Sequence, residues 1–320
     1  MKKINLTLFS LFLFIGIAIA QKKPIMYFTD SASGNPVAKD PKIISFQNKY
    51  WMYYSIPGKD TGWYIGIATS NDLINWDKVA EIKPAADYEK NGLCAPGAIV
   101  RGDTVHLFYQ TYGNGPKDAI CHAYSTDGIN FTRNTTNPIF SPKGDWTCGR
   151  AIDAEVVTFK GKYLLYFATR DKGFNIQKQG VASAPLSTNF NRDDWTQLAD
   201  SSILEPSSLW EKNCVEGASC VAKGDYLYMF YAGAYNNEPQ QIGVARSKDG
   251  MNWERMSDSP FLTNGKLGSW NSAESGHPDV FKDKNGDYWL FYQGNNTGDG
   301  KSWYLSNLKL NWKGDQWPRN

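Results

Sequence analysis

Residues 244–253 read Val244-Ala245-Arg246-Ser247-Lys248-Asp249-Gly250-Met251-Asn252-Trp253. A short run ends at a serine, a polar turn follows, and an aromatic reopens the chain. The same device stands at Ile67-Ala68-Thr69-Ser70-Asn71-Asp72-Leu73-Ile74-Asn75-Trp76 and at Ala123-Tyr124-Ser125-Thr126-Asp127-Gly128-Ile129-Asn130-Phe131. Weaker copies lead from Val181-Ala182-Ser183 to Trp195 and from Leu305-Ser306 to Trp312. The closing aromatics, at 76, 131, 195, 253 and 312, are 55 to 64 residues apart. A second motif lies upstream of each: Tyr50-Trp51-Met52-Tyr53-Tyr54, His106-Leu107-Phe108-Tyr109, Tyr163-Leu164-Leu165-Tyr166-Phe167, Tyr228-Met229-Phe230-Tyr231 and Tyr288-Trp289-Leu290-Phe291-Tyr292.

Short aromatic and β-branched runs punctuated by Gly, Asn and Asp are an all-β pattern, and no long stretch keeps a helical period. Five units of about 60 residues, each with three or four strands, predict a five-bladed β-propeller in one domain. Radial stacking buries sheet faces that a lone sheet leaves open. The last unit lacks an outer strand, and Pro24-Ile25-Met26-Tyr27-Phe28-Thr29 is expected to supply it and close the ring.

Charge is balanced, with 34 Lys+Arg against 32 Asp+Glu in 320 residues, so no nucleic-acid partner is expected. The 12 Trp and 18 Tyr suit strands and cores, and also sugar stacking. Lys2 and Lys3, the apolar run Leu8 to Ile17 and the small-x-small triplet Ala18-Ile19-Ala20 read as a signal peptide over residues 1–20. The mature domain is then 21–320, periplasmic or secreted, with no membrane span after cleavage. Five cysteines, Cys94, Cys121, Cys148, Cys214 and Cys220, fit no zinc spacing and are read as buried free thiols. Nothing in the sequence sets an oligomeric state.

The first strand of a propeller blade is innermost, so the five first strands start at one mouth of the axis. Stepping back 14 or 15 residues from the ends of the second strands reaches Asp40, Ala95, Asp153, Glu216 and His277. Any one acid there is an ordinary turn residue. Several at one narrow mouth repel each other and raise at least one pKa. Paired carboxylates with separated pKa values suit glycoside hydrolysis, in which one protonates the leaving oxygen and the other activates water. No Ser-His-Asp order, Cys-His pair or phosphate loop competes. Pro41 is expected to hold Asp40 extended. Arg150 and Arg170 are candidates to orient hydroxyls or an acidic sugar. Trp63, Tyr112 and Tyr235 follow second strands and are candidate sugar platforms. Glu155 and Glu274 are reserve carboxylates.

The chain resembles glycoside hydrolase family 43 and its five-bladed relatives through Asp40-Pro41, Ile152-Asp153 and Glu216-Gly217, in the blades and order that family uses. The resemblance implies that Asp40 is the general base, that Glu216, kept protonated, is the general acid, and that Asp153 orients the site and tunes the acid. It implies inversion, with the Asp40 and Glu216 carboxyls roughly 6.5 to 9.5 Å apart. His277, in Ser275-Gly276-His277-Pro278, is expected to touch the sugar or to hold a structural calcium through water; no cofactor is otherwise required. The chain departs from the pattern at Cys94-Ala95-Pro96-Gly97, at Asp153-Ala154 and at Gly217-Ala218, which leaves the sugar open. A plant or algal glycan is the expected substrate, with α-L-arabinofuranosidase or β-xylosidase the default activity. Galactosidase or phosphorylase action on the same fold is an alternative, and so is a non-catalytic carbohydrate-binding propeller. Ser125-x-Asp127-Gly128 and Ser247-x-Asp249-Gly250 resemble the Asp-box of sialidases, but the blade count of five argues against that class.

Overall fold

The structure, a computed structural model, describes residues 24–60 and 62–312; the expected signal peptide lies outside them. Its first blade is β1 (Lys39–Phe46), β2 (Lys49–Pro57), β3 (Trp63–Ser70) and β4 (Asp77–Ile82). The second is β5 (Leu93–Arg101), β6 (Thr104–Thr111), β7 (Ile120–Ser125) and β8 (Thr132–Arg133). The third is β9 (Ile152–Phe159), β10 (Lys162–Arg170), β11 (Gln177–Pro185) and β12 (Thr196–Gln197). The fourth is β13 (Val215–Lys223), β14 (Tyr226–Gly233), β15 (Gln241–Ser247) and β16 (Glu254–Arg255). The fifth has, among the described residues, three strands, β17 (Glu274–Lys282), β18 (Tyr288–Asn295) and β19 (Tyr304–Leu310). Each blade is an antiparallel meander in sequence order, so the predicted five-bladed propeller is the fold.

The repeated serine turn links third and fourth strands by one set of bonds. Asp249 Oδ1 accepts the backbone N–H groups of Met251 and Asn252, both at 2.8 Å, while Ser247 Oγ accepts that of Gly250 at 2.9 Å. The turns at Asp72 and Asp127 repeat the pattern. These backbone donors hold the Asp72 carboxyl down at about 2.

The closing aromatic of each turn reaches across a seam. Phe131 meets Tyr53, Trp195 meets Phe108, Trp253 meets Tyr166, Trp312 meets Phe230, and Trp76 meets Phe291. All five pairs are edge-to-face, with centroids 5.7, 6.3, 5.6, 6.5 and 6.1 Å apart in that order. Each blade is thereby clasped to the one before it, and the hydrophobic core consists of the layers between blades. Such pairs add roughly 0.5–1.5 kcal/mol each beyond their buried area.

Ring closure follows the expectation in a shorter form. Phe28 and Leu305 exchange backbone bonds of 2.9 and 2.8 Å, a single bridge rather than a ladder. Ser306 Oγ donates to Met26 O at 2.8 Å, and Met26 is fully buried beside Tyr54 and Phe291. Deleting residues 24–29 removes Met26 and Phe28 from this seam. The expected loss is about 3–6 kcal/mol for the two side chains, read as a lowered midpoint in denaturant; an unchanged midpoint would show that the ring closes without them.

Candidate active site

The inner strand of every blade carries the same irregularity. Register slips between Lys39 and Lys42, Cys94 and Gly97, Ile152 and Glu155, Glu216 and Ser219, and Gly276 and Asp279. Each slip is a β-bulge, a device that re-aims a side chain. The residue that turns the chain is left-handed: Asp40 (φ 51°), Ala95 (φ 48°), Asp153 (φ 55°), Gly217 (φ 57°) and His277 (φ 40°). The expectation that Pro41 keeps Asp40 extended is therefore corrected. The bulge overrides the usual pre-proline preference, at a cost of order 1–3 kcal/mol for each non-glycine residue.

The freed N–H groups find partners across the seams. Asp40 N donates to Gln293 Oε1 at 2.9 Å, Ala95 N to Ser55 Oγ at 2.8 Å, and Asp153 N to Gln110 Oε1 at 2.8 Å. Glu216 is not in register with Asp40 and Asp153, as the residue count had implied. Gly217 holds the turning position, and Glu216 reaches the axis from the residue before it. A side chain at 217 would press on His277, whose Nδ1 lies 3.0 Å from a built Cβ.

Every side chain expected at the site lines one cavity of about 350 Å³: Asp40, Asp153, Glu216 and His277, the cations Arg150 and Arg170, and the rings of Trp63, Tyr112 and Tyr235. The His277 ring stands between two acids, with Nδ1 3.2 Å from Asp40 Oδ1 and Nε2 3.2 Å from Glu216 Oε1. Glu216 also accepts from Gln240 Nε2 at 2.7 Å and from Gln177 Nε2. Asp153 Oδ2 is buried with no partner. The wall residues Lys39, Gln177 and Asn236, and Gln240 behind Glu216, were not singled out in the sequence; they belong to no motif, and only the folded blades bring them to the axis.

The reserve carboxylates have other work. Glu274 is fully buried and accepts from Gln293 Nε2, Trp303 Nε1 and the Asn237 backbone at 2.6, 3.0 and 2.7 Å, which makes it a staple of the fifth blade. Glu155 lies one layer below the bulges. There Lys42 Nζ sits 2.6 Å from Glu155 Oε2 and 3.0 Å from Asp279 Oδ1, and Ser219 Oγ donates to Asp279 Oδ1 at 3.1 Å. A hollow of about 30 Å³ separates this ionic layer from that of Asp40, Asp153 and His277. The Cys94 thiol in the cavity wall is pushed well up by burial and is inert as a nucleophile. All five cysteines are free thiols; Cys94, Cys121, Cys214 and Cys220 are buried as expected, whereas Cys148 is half-buried.

Electrostatics separate the acids. Burial pushes Asp153 up to about 7, with Glu216 and Asp40 adding to the rise against the pull of His277. Burial acts on Glu216 in the same sense, but the His277 bond and charge outweigh it and hold that carboxyl below its ordinary value. Burial disfavours charge on His277, yet Asp40 and Glu216 outweigh it and the imidazole rises to about 10. The cavity thus pushes the two buried carboxyls in opposite directions, Asp153 up and Glu216 down.

The expected calcium would be held at Asp153, Glu216 and His277. Each of the three offers an atom within 4.8 Å of the others, and His277 faces carboxylates through both ring nitrogens. On the axis below, the Lys42 ammonium bridges the carboxylates of Glu155 and Asp279.

Two outcomes are expected. Lys42→Met strands two buried carboxylates and lowers stability by about 3–5 kcal/mol; the triple variant with Glu155→Gln and Asp279→Asn recovers most of it, and no recovery would contradict the ionic layer. The His277 contribution is fully present below its unfolded pKa of 6.5 and is lost as pH rises through about 10. The melting temperature should therefore fall across that window, and His277→Gln should flatten the slope; an unchanged slope would count against the imidazolium.

The model of glycosyl hydrolases family 43 matches residues 33–318. A thermostable family-43 glycoside hydrolase superposes with a TM-score of 0.70 at 21% identity, over 91% of this chain and 95% of its own. An α-L-arabinofuranosidase from Lactobacillus brevis gives 0.71 at 15% identity, over 92% and 94%. An endo-1,4-β-xylanase from Bacteroides thetaiotaomicron gives 0.68 at 21%, over 88% and 93%. At these identities the structures speak for the propeller alone. The family match spans nearly the whole chain and coincides with the three axial acids: this protein belongs to glycosyl hydrolase family 43.

Proposed function

We propose that this glycosidase is exported under direction of residues 1–20 and cleaves α-L-arabinofuranosides or β-xylosides of plant or algal glycans with inversion. The observation that carries the mechanism is His277, which holds Asp40 and Glu216 apart on opposite ring nitrogens at the end of one cavity. A water needs that separation to enter between an inverting pair. The names of the similar solved proteins, among them an arabinofuranosidase and a xylanase, support the sugar.

Asp40 takes the proton from water as its oxygen attacks the anomeric carbon. Glu216 delivers a proton to the leaving oxygen. Asp153 stores that proton at rest, because its Oδ2 has no donor and its burial disfavours charge. Sugar hydroxyls that displace Gln177 and Gln240 from Glu216 remove two of the bonds that keep it ionised, and the proton moves across the coupled pair. The imidazolium of His277 stabilises Asp40 until water takes its place. Chelators are expected to leave activity unchanged, since no step uses a metal.

Aryl-glycosides with good and poor leaving groups separate the roles. Asp40→Asn should lose about 10²–10⁴-fold on both kinds. Glu216→Gln should lose that much on poor leaving groups and far less on nitrophenyl glycosides, which need no proton. If Asp153→Asn, and not Glu216→Gln, shows this selective loss, then Asp153 is the donor and the assignment of Glu216 is overturned.

A further inference from the structure

Arg170 stands in the cavity wall with an unusual set of neighbours. Its Nε donates to Gln177 Oε1 at 2.9 Å, the one hydrogen bond of its side chain among the described residues, none of whose carboxylates lies within ion-pair distance. The guanidinium lies over Phe174 at 4.4 Å and over Tyr235 at 5.0 Å, a clamp that fixes its plane. Arg150 approaches the same Gln177 oxygen at 3.4 Å through Nη1. Its Nε is buried without a hydrogen-bond partner, 3.6 Å from Asp118 Oδ2. Two like charges therefore gather on one neutral amide oxygen; Asp118 is the one carboxylate among the described residues in ion-pair range of either, and Asp153 acts on Arg150 from further off. Across the cavity, Lys39 bonds the neutral Asn236 at 2.6 Å and lies 4.6 Å from the Trp303 ring.

Such a cluster is costly unless something uses it. Two guanidinium groups repel, and taking them out of water adds a penalty that a neutral amide does not offset. A neutral sugar would deepen the burial and supply only weak acceptors. A carboxylate or sulfate matches the planar fork of Arg170 in two parallel charge-assisted bonds. We propose that Arg170, with Arg150 beside it, binds an oxyanion carried by the substrate, so that the natural substrate is an acidic glycan bearing a uronosyl carboxylate or a sulfate ester close to the scissile bond. This rests on the carbohydrate-binding part of the function proposed above and adds the charge of the glycan. Phe174 and Tyr235 are positioning residues that keep the fork in plane.

The test is titration calorimetry on the full chain with two matched pairs of oligosaccharides. One pair is a glucuronic-acid-bearing xylo-oligosaccharide and its carboxyl-reduced form. The other is a sulfated galactan oligosaccharide and its desulfated form. At least one anionic member should bind tenfold or more tightly than its neutral partner, and the pair that shows the difference identifies the source of the oxyanion. Arg170→Gln should shrink the difference below threefold, while Arg170→Lys keeps part of it. In the wild type the difference should also narrow as salt is raised, an outcome independent of any variant's folding. Equal affinity within both pairs, binding to no member of either, or a preference that survives Arg170→Gln and high salt overturns the proposal. Turnover of the same oligosaccharides keeps the two readings apart. Hydrolysis without an anion preference overturns the acidic substrate alone, and a preference without hydrolysis supports it while overturning the glycosidase mechanism.

Discussion

A β-bulge repeated at the start of five inner strands governs this molecule. Without it, side chains near the axis would alternate between seams, as strand geometry dictates. The left-handed residue breaks the alternation and stacks two layers of side chains on the axis. The upper layer carries Asp40, Asp153 and His277, with Glu216 entering from the residue beside Gly217. The lower carries Lys42, Glu155, Ser219 and Asp279. The strain is tolerated because Gln293, Ser55 and Gln110, from second strands of the preceding blades, take the freed N–H groups. Local backbone strain, seam packing and site geometry are thus one structure.

The seams in turn depend on the aromatic clasps. In each blade the ring that receives the clasp pairs in register with the lower-layer residue: Tyr53 with Lys42, Phe108 with Gly97, Tyr166 with Glu155, Phe230 with Ser219 and Phe291 with Asp279. The force that joins the blades therefore acts at the depth where the ionic layer sits. A water-poor axis follows, and there charges act strongly on one another. That setting drives Asp153 up toward 7 and makes His277 an imidazolium.

Much of this was legible in the sequence because the repeat was. The closing aromatics and the second-strand motifs fixed the blade count, and the spacing between them led to Asp40, Asp153, Glu216 and His277. Arg150, Arg170, Trp63, Tyr112 and Tyr235 were reached as loop and strand-end residues, and all line the cavity. What stayed hidden depended on conformation or on pairing. The proline after Asp40 suggested extended backbone, and only the bulge shows otherwise. The one-residue offset of Glu216 is a register effect to which counting is blind. Glu155 and Glu274 look like candidate acids until their partners are known: a lysine in another blade for the first, and a ring of donors for the second. Which of the two buried carboxyls is pushed up and which down depends on which has hydrogen-bond donors, and no linear pattern records that.

The central claim is that Asp40 and Glu216 act on opposite faces of the sugar, with His277 marking the place of the attacking water. Proton NMR of the first-formed sugar, recorded before mutarotation, tests it most directly. The released sugar is predicted to have the anomeric configuration opposite to that of the substrate. Release with retained configuration would contradict the claim and make one of the two carboxylates a nucleophile.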